Sequence, residues 1–215
     1  KFKILANEGC RFTPTVSNKD FSHITAILPF NANGDRLEPF VILRNILKCP
    51  QELNEFDSFL CTQKSGWMNK QIFFIFCVWI TSQLNNYRLN KLPPELFNEE
   101  IIILMGNHLS RINPQALRYL KMHNLSIITF PPHCTHLLQP FDVAVARSFK
   151  SLMQKIQLPK KAIDYLNSLP TKISKACYKL LYLITNAWNS VSKDTLKEGF
   201  MKPGFIDPYD TNKAI

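Results

Sequence analysis

Residues 101–130, IIILMGNHLSRINPQALRYLKMHNLSIITF, carry the clearest indication of the fold. Ile101–Met105 is a continuous apolar run of strand length, which is typical of a parallel strand covered on both faces. Asn113 can cap a helix that has Pro114 at its first position. Leu125–Phe130 then returns as a second buried strand. This order predicts a right-handed unit of strand, helix and parallel strand.

Three further strands are predicted before this unit. Lys1–Ala6 alternates polar and apolar residues, and Phe21–Phe30 is rich in Ile, Thr and Phe. Asn31–Asp35 supplies residues that tolerate a positive φ, and Pro39–Arg44 resumes a β-like run. We therefore expect an antiparallel hairpin within a three-stranded antiparallel unit.

Helices are predicted on either side of the central unit. Met68–Leu84 is too apolar for a solvated helix, so we expect it to be buried against a sheet. Cys49–Ser65 has no clear period and is predicted to be a surface excursion. Pro140 opens another helix, and beyond Pro159 the chain reads as helical and basic.

The predicted order of elements matches an RNase H-like α/β fold. This retroviral-integrase-like fold has a five-stranded mixed sheet with helices on both faces, followed here by C-terminal helices. A chain of 215 residues, 46% of them hydrophobic, can bury one substantial core. We expect one domain, with a core at residues 1–156 and a basic helical extension at 157–215. Because the chain begins inside a predicted strand, we also expect it to be a fragment of a longer protein.

The composition favours a polyanionic partner. The formal net charge is +10 and the isoelectric point is near 9.4, a balance that attracts nucleic acid through counterion release. No apolar run reaches the roughly 18 residues that span a bilayer, so we expect no membrane partner. The cysteines form no CxxC pair, which favours a reducing compartment, nucleus or cytosol. They are Cys10, Cys49, Cys61, Cys77, Cys134 and Cys177.

One segment carries a strong family resemblance. Residues 131–143, PPHCTHLLQPFDV, resemble the Pro-Pro-His-x-Thr-His-x-x-Gln-Pro-Leu-Asp-Val signature of DDE-type transposases of the pogo, Tigger and jerky kind, which are also related to centromere protein B. Lys150 stands at the family's downstream lysine, and residues 106–111, GNHLSR, resemble the family's Asp-Gly/Asn-His-x-Ser-His/Arg block. Further blocks that resemble the family in the expected order are Asn31–Gly34 with Pro39–Ile42, Ser65–Met68, and Ala187–Trp188 with Gly199–Phe200.

The resemblance implies a metal-dependent DNA strand transferase. Members of the family use three acids to hold two Mg²⁺ (or Mn²⁺) ions, which clamp the attacking and leaving oxygens of a phosphodiester displacement. Asp142 stands at the third acid position, at N3 of its predicted helix, and is the expected metal ligand. Gly106 stands at the second position and Asn7 at the first, so two of the three carboxylates are replaced. Glu8 could substitute, although neighbouring strand residues point to opposite faces.

Our leading interpretation is a transposase-derived domain that binds DNA and has a degenerate catalytic site. One alternative is an active Mg²⁺-dependent nicking or transfer enzyme in which Glu8 rescues the site. The other is a chromatin or protein-interaction module without DNA contact. The sequence leaves open whether the chain is an enzyme and whether it forms a homodimer.

The partners expected for the leading interpretation are DNA phosphates, in the nucleus and without a small-molecule cofactor. A zinc site at His133, Cys134 and His136 is disfavoured because no second ligand pair stands at a suitable distance. The residues expected to contact DNA are His108, Arg147, Lys150, Lys155, Lys160 and Lys161.

Overall fold

The chain forms two compact units. The first contains residues 1–67 and 135–215, and the second contains residues 68–134. The computed structural model describes residues 2–3, 11–12, 24–44, 46, 49, 51–107 and 113–207.

The first unit contains two small sheets. Strands β1 (Phe2–Lys3) and β2 (Arg11–Phe12) pair antiparallel. In the second sheet, β3 (Thr25–Ile27) runs antiparallel to β4 (Phe40–Arg44), and β4 runs parallel to β5 (Phe59–Gln63). The predicted hairpin is therefore confirmed. The third strand of its sheet is β5, parallel to β4, and not the predicted Lys1–Ala6, of which Phe2–Lys3 pairs with Arg11–Phe12.

The prediction that Cys49–Ser65 forms a surface excursion is wrong. This segment contains a 3₁₀ helix at Gln51–Leu53, in which Leu53 is fully buried, followed by strand β5. The β5 residues are all partly buried, so the strand has no alternation of apolar and polar positions for a sequence pattern to detect. The position of β5 is determined by its parallel pairing with β4. The rings of Phe40 on β4 and Phe59 on β5 stack with their centroids 5.0 Å apart.

Helices complete the first unit and build its core. They are α3 (Thr135–Leu138), a π-helical turn (Phe141–Val145), α4 (Ala146–Lys155), α5 (Lys160–Ser168), α6 (Lys172–Ser190) and α7 (Lys193–Met201). The core joins β3 and β4 to α4 and α6, and its fully buried side chains include Val41, Leu43, Phe149, Leu181 and Trp188.

The second unit contains the strand–helix–strand arrangement predicted from the sequence. It comprises α1 (Lys70–Lys91), a 3₁₀ helix (Pro94–Leu96), β6 (Ile101–Met105), α2 (Pro114–Met122) and β7 (Leu125–Thr129). β6 and β7 are parallel, in a register that pairs Ile101 with Leu125. The predicted cap is confirmed, because the Asn113 side chain accepts from the N–H groups of Gln115 and Ala116.

The prediction that β6 and β7 are covered on both faces is wrong for one face. Ile102 and Ile128 are 52% and 49% exposed, whereas Leu125 and Met105 on the opposite face are buried. Successive strand residues point to opposite faces, so helix packing has covered one set of side chains among the described residues and left the other accessible. The run of isoleucine and leucine alone cannot distinguish these cases.

A buried arginine links the elements of the second unit. Arg88 of α1 is only 7% exposed and donates to the carbonyl oxygens of Glu99, His123 and Asn124 at 2.9–3.1 Å. His123 is the C-terminal cap of α2, where a cation also meets the negative end of the helix dipole. Arg88 therefore links α1 to the C-terminal end of α2 and to the residues just before β6.

The α/β class is confirmed by these elements, while the single five-stranded sheet stays a prediction. Among the described residues, no helix is long and apolar enough to cross a membrane.

Candidate functional site

Asp142 lies on a π-helical turn at the start of α4. The N–H group of Ala146 donates to the carbonyl oxygen of Phe141, five residues back, in place of the usual four. Asp142 is partly buried and is the third helical residue counted from Pro140, which is itself in the α-helical region, as predicted. Such single π-helical turns are frequently found at functional sites.

Helix α7 packs closely against the start of this turn. A Cβ atom placed on Gly199 would lie 2.7 Å from the carbonyl oxygen of Pro140, a distance that real Cβ atoms do not adopt. Only glycine permits this approach. The Gly199–Phe200 block that resembles the family therefore lies directly beside the element that carries Asp142.

A second glycine, in the loop of the β3–β4 hairpin, also makes a close backbone contact. Gly34 has φ of +77°, and a Cβ atom on it would lie 2.7 Å from the carbonyl oxygen of Lys193 at the start of α7. The Lys193 ammonium also lies 3.2 Å from the carboxylate of Asp35. The Asn31–Gly34 block is thus held against α7.

Trp188 is the centre of the aromatic contacts between these parts. Its ring makes edge contacts with Phe30 and Phe149 at centroid distances of 6.0 and 6.4 Å. Its indole N–H donates to the carbonyl oxygen of Leu37 at 2.8 Å. The guanidinium of Arg36 lies over the indole and donates to the carbonyl oxygens of Trp188 and Val191. Three blocks that are distant in sequence therefore meet in the first unit.

The position predicted for the second acid has no ligating side chain. Gly106 directly follows β6 in the second unit and is buried, while Asn107 beside it is exposed. Asn7, Glu8 and His108 lie outside the described residues. Gly106 directly follows a strand, as the sequence predicts. A glycine offers no carboxylate to a metal ion.

Five predicted DNA-contacting residues lie on α4 and α5. Arg147 and Lys155 are exposed on α4, Lys150 is partly exposed, and Lys160 and Lys161 are exposed in the first turn of α5. None of the five forms an ion pair with the described acids. Lysines in a first turn face the positive end of the helix dipole, which is unfavourable for folding and favourable for holding an anion.

Three of the thiols in the described part of the chain are poor metal ligands. Burial raises the pKa of Cys61, Cys77 and Cys177 to about 12, so these side chains are protonated at neutral pH and are poor ligands. In the part of the chain that the structure describes, no three His, Cys, Asp or Glu residues are grouped so that they could hold a metal ion.

Sequence reasoning missed the π-helical turn and the role of Arg88. The turn has no sequence signal that we recognise. Arg88 had a weak one, since it is the first charged residue after the uncharged run of residues 71–87.

Comparison with known proteins places the chain among transposon-derived sequences. The family model described as DDE superfamily endonuclease matches residues 22–200. A human protein described as "Pogo transposable element with KRAB domain" is 23% identical over 183 residues, which cover 83% of this chain and 28% of that relative. The chain thus spans less than a third of the length of this curated relative. No solved structure matches the chain.

Proposed function

Because the chain belongs to the DDE superfamily of endonucleases, we propose that it is a transposase-derived domain that binds DNA phosphates and no longer cleaves DNA. The observation that carries the proposal is Gly106, which stands after β6 where the family places its second acid. The family assignment also supports an RNase H-like five-stranded mixed sheet as the fold of the whole domain, with a core at residues 1–156 and a basic extension at 157–215.

The residues present do not fit a pair of Mg²⁺ or Mn²⁺ ions. Such hard cations prefer carboxylate oxygens, and a two-ion site needs several of them to offset the charge. Asp142 supplies one carboxylate, Gly106 supplies none, and Asn7 offers at best a neutral amide oxygen. The residues present therefore do not support metal-dependent strand cleavage by this protein.

The basic residues of α4 and α5 support binding to the DNA backbone. Arg147, Lys155, Lys160 and Lys161 are exposed, and the chain as a whole carries a net charge of +10. Contacts of this kind neutralise phosphates and release counterions, and they carry no sequence information. We therefore propose sequence-independent binding through this surface and, with it, a nuclear location.

Restoration of the missing acids tests the loss of cleavage. We expect no nicking of supercoiled plasmid by the parent chain in Mg²⁺ or Mn²⁺. The Asn7→Asp/Gly106→Asp variant is expected to nick at least about a hundredfold faster than background, since metal-bound transition states gain several kcal/mol. Adding Asp142→Ala to the restored variant should abolish the gain.

Each alternative predicts a different result in the same assay. Nicking by the parent that is lost on Asp142→Ala would show an active enzyme, and its further loss on Glu8→Gln would show that Glu8 rescues the site. If the restored variant stayed inactive, positions 7 and 106 would not be the first and second acid positions.

Salt dependence tests the DNA contacts. We expect affinity for duplex DNA to fall steeply with salt concentration, and the Lys155→Gln/Lys160→Gln/Lys161→Gln variant to reduce the slope of log K against log salt by about 2 to 3. The matched control is Lys70→Gln/Lys91→Gln/Lys121→Gln, which removes three exposed charges from the second unit. Fluorescence anisotropy with labelled duplex measures both.

The control separates local contacts from net charge. Equal losses in the two triple variants would contradict a binding surface on α4 and α5. Affinity that did not change with salt would contradict phosphate binding and favour the protein-interaction module.

A further inference from the structure

The segment that carries Asp142 contains one residue more than a regular α-helix would. The N–H group of Val143 donates to the carbonyl oxygen of Gln139, four residues back, as in an α-helix. The N–H group of Ala146 donates to the carbonyl oxygen of Phe141, five residues back. The extra residue is therefore accommodated within the π-helical turn, in the immediate neighbourhood of Asp142.

The extra residue determines which side chains share a face of this helix. Residues eight positions apart differ by about 80° in direction in a regular α-helix, and by only about 20° when one extra residue lies between them. Phe141 and Phe149 are accordingly on one side, where both are buried with their ring centroids 6.2 Å apart. By the same geometry Asp142 is in line with Lys150, and both are partly exposed. The turn thus brings the acid and this basic residue onto one face.

Helix α7 packs against the start of the π-helical turn. A Cβ atom on Gly199 would lie 2.7 Å from the carbonyl oxygen of Pro140, so there is no room for a side chain between the two backbones. The next residue, Phe200, makes an edge contact with Phe30 at a centroid distance of 5.4 Å. Leu196, one turn earlier on α7, is fully buried. Withdrawal of α7 from the turn would therefore break packing in the core.

We propose that α7 holds the π-helical turn in its present form and that Gly199 is a positioning residue for Asp142. A π-helical turn is a rare form of backbone, so we expect packing around it to keep it in place. Without this packing the segment returns to the α-helical pattern, which rotates Asp142 by about 100° relative to α4. The consequence for cleavage rests on the proposed function, whereas the hold on the turn does not.

The acceptor of the Ala146 N–H group tests the hold directly. Scalar couplings across hydrogen bonds, measured by NMR on deuterated protein, identify the carbonyl carbon to which an N–H group donates. We expect Ala146 to couple to Phe141 in the parent and to Asp142 in Gly199→Ala, because the new Cβ atom displaces the carbonyl group of Pro140. A loss of stability alone would leave the acceptor unchanged.

Gly34→Ala is the matched control. It introduces a Cβ atom at the same distance of 2.7 Å from a backbone oxygen of α7, that of Lys193, at the far end of the helix. We expect it to destabilise the first unit and to leave the acceptor of Ala146 unchanged. Phe200→Ala loosens α7 without adding atoms near the turn, and it serves if Gly199→Ala does not fold. It should speed hydrogen exchange at Ala146 at least about tenfold, and exchange near the end of α4 less than about twofold.

Cleavage tests the consequence for Asp142. Adding Gly199→Ala to the Asn7→Asp/Gly106→Asp variant should lower the nicking rate at saturating DNA at least about tenfold, because the acid is misplaced. The affinity for DNA should change less than about twofold, since the lysines of α4 and α5 are retained.

The possible outcomes separate this proposal from the proposed function. Coupling of Ala146 to Asp142 in the parent would overturn the hold by α7, as would an unchanged acceptor in folded Gly199→Ala or an equal change in Gly34→Ala. Unaltered nicking after a change of acceptor would show that Gly199 does not position the acid. A restored variant that fails to nick would contradict the proposed function, and the acceptor of Ala146 would then decide the proposal alone.

Discussion

Replacement of Arg88 by methionine is expected to lower the free energy of unfolding by about 2 to 3 kcal/mol, because part-buried carbonyl oxygens lose a charged donor while the apolar stem is retained. The guanidinium donates to the carbonyl oxygens of Glu99 and His123 and to the amide oxygen of Asn85. Burial lowers the pKa of Arg88 because desolvation disfavours the charged form, and the hydrogen bonds to these oxygens offset part of that penalty. Urea denaturation followed by circular dichroism measures the change.

The exposed Arg118→Met on α2 is the control for this effect. It removes the same charge from the same unit and should change the free energy of unfolding by no more than about 0.5 kcal/mol. Arg88→Lys should recover only part of the loss, since a lysine ammonium cannot reach several carbonyl oxygens in the planar geometry of a guanidinium. Equal effects of the two methionine variants would show that Arg88 does not hold the unit together.

Replacement of Gly34 by alanine is expected to destabilise the first unit by about 3 kcal/mol. Part of the cost is the positive φ of +77°, which an alanine adopts at a loss of about 1 kcal/mol. The rest is the clash of the new Cβ atom with the carbonyl oxygen of Lys193 at 2.7 Å, which forces backbone to shift. Thermal and urea denaturation measure the sum.

Gly204→Ala separates the two contributions to the Gly34 effect. Gly204 has a similar φ of +82°, and nothing lies within 4 Å of the position that its Cβ atom would occupy. This variant should therefore lose only the conformational part. If both alanine variants lost the same free energy, the close approach of the hairpin loop to α7 would contribute nothing to stability.

The predictions that succeeded rest on local signals. The β6–α2–β7 unit was predicted from two apolar runs and an Asn-Pro helix start, and the Asn113 side chain caps that helix as expected. The β3–β4 hairpin was predicted from a loop that tolerates positive φ, and Gly34 adopts it. In each case, residues close together in the chain determine the conformation.

The predictions that failed depend on partners far away in the chain. β5 is placed by its pairing with β4 and has no alternation of its own. Ile102 and Ile128 have the composition of buried strand residues, yet which strand face is covered depends on where the helices pack. The close contact of Gly199 with Pro140 links residues that no sequence pattern joins.

The family assignment follows from residue identities, because the signature at residues 131–143 is contiguous, and no packing arrangement gives Gly106 a carboxylate. The inward position of Arg88, in contrast, depends on hydrogen bonds to carbonyl oxygens in segments that lie far from α1 in the chain. These hydrogen bonds join residues that are far apart in the chain, so they form only when the chain folds.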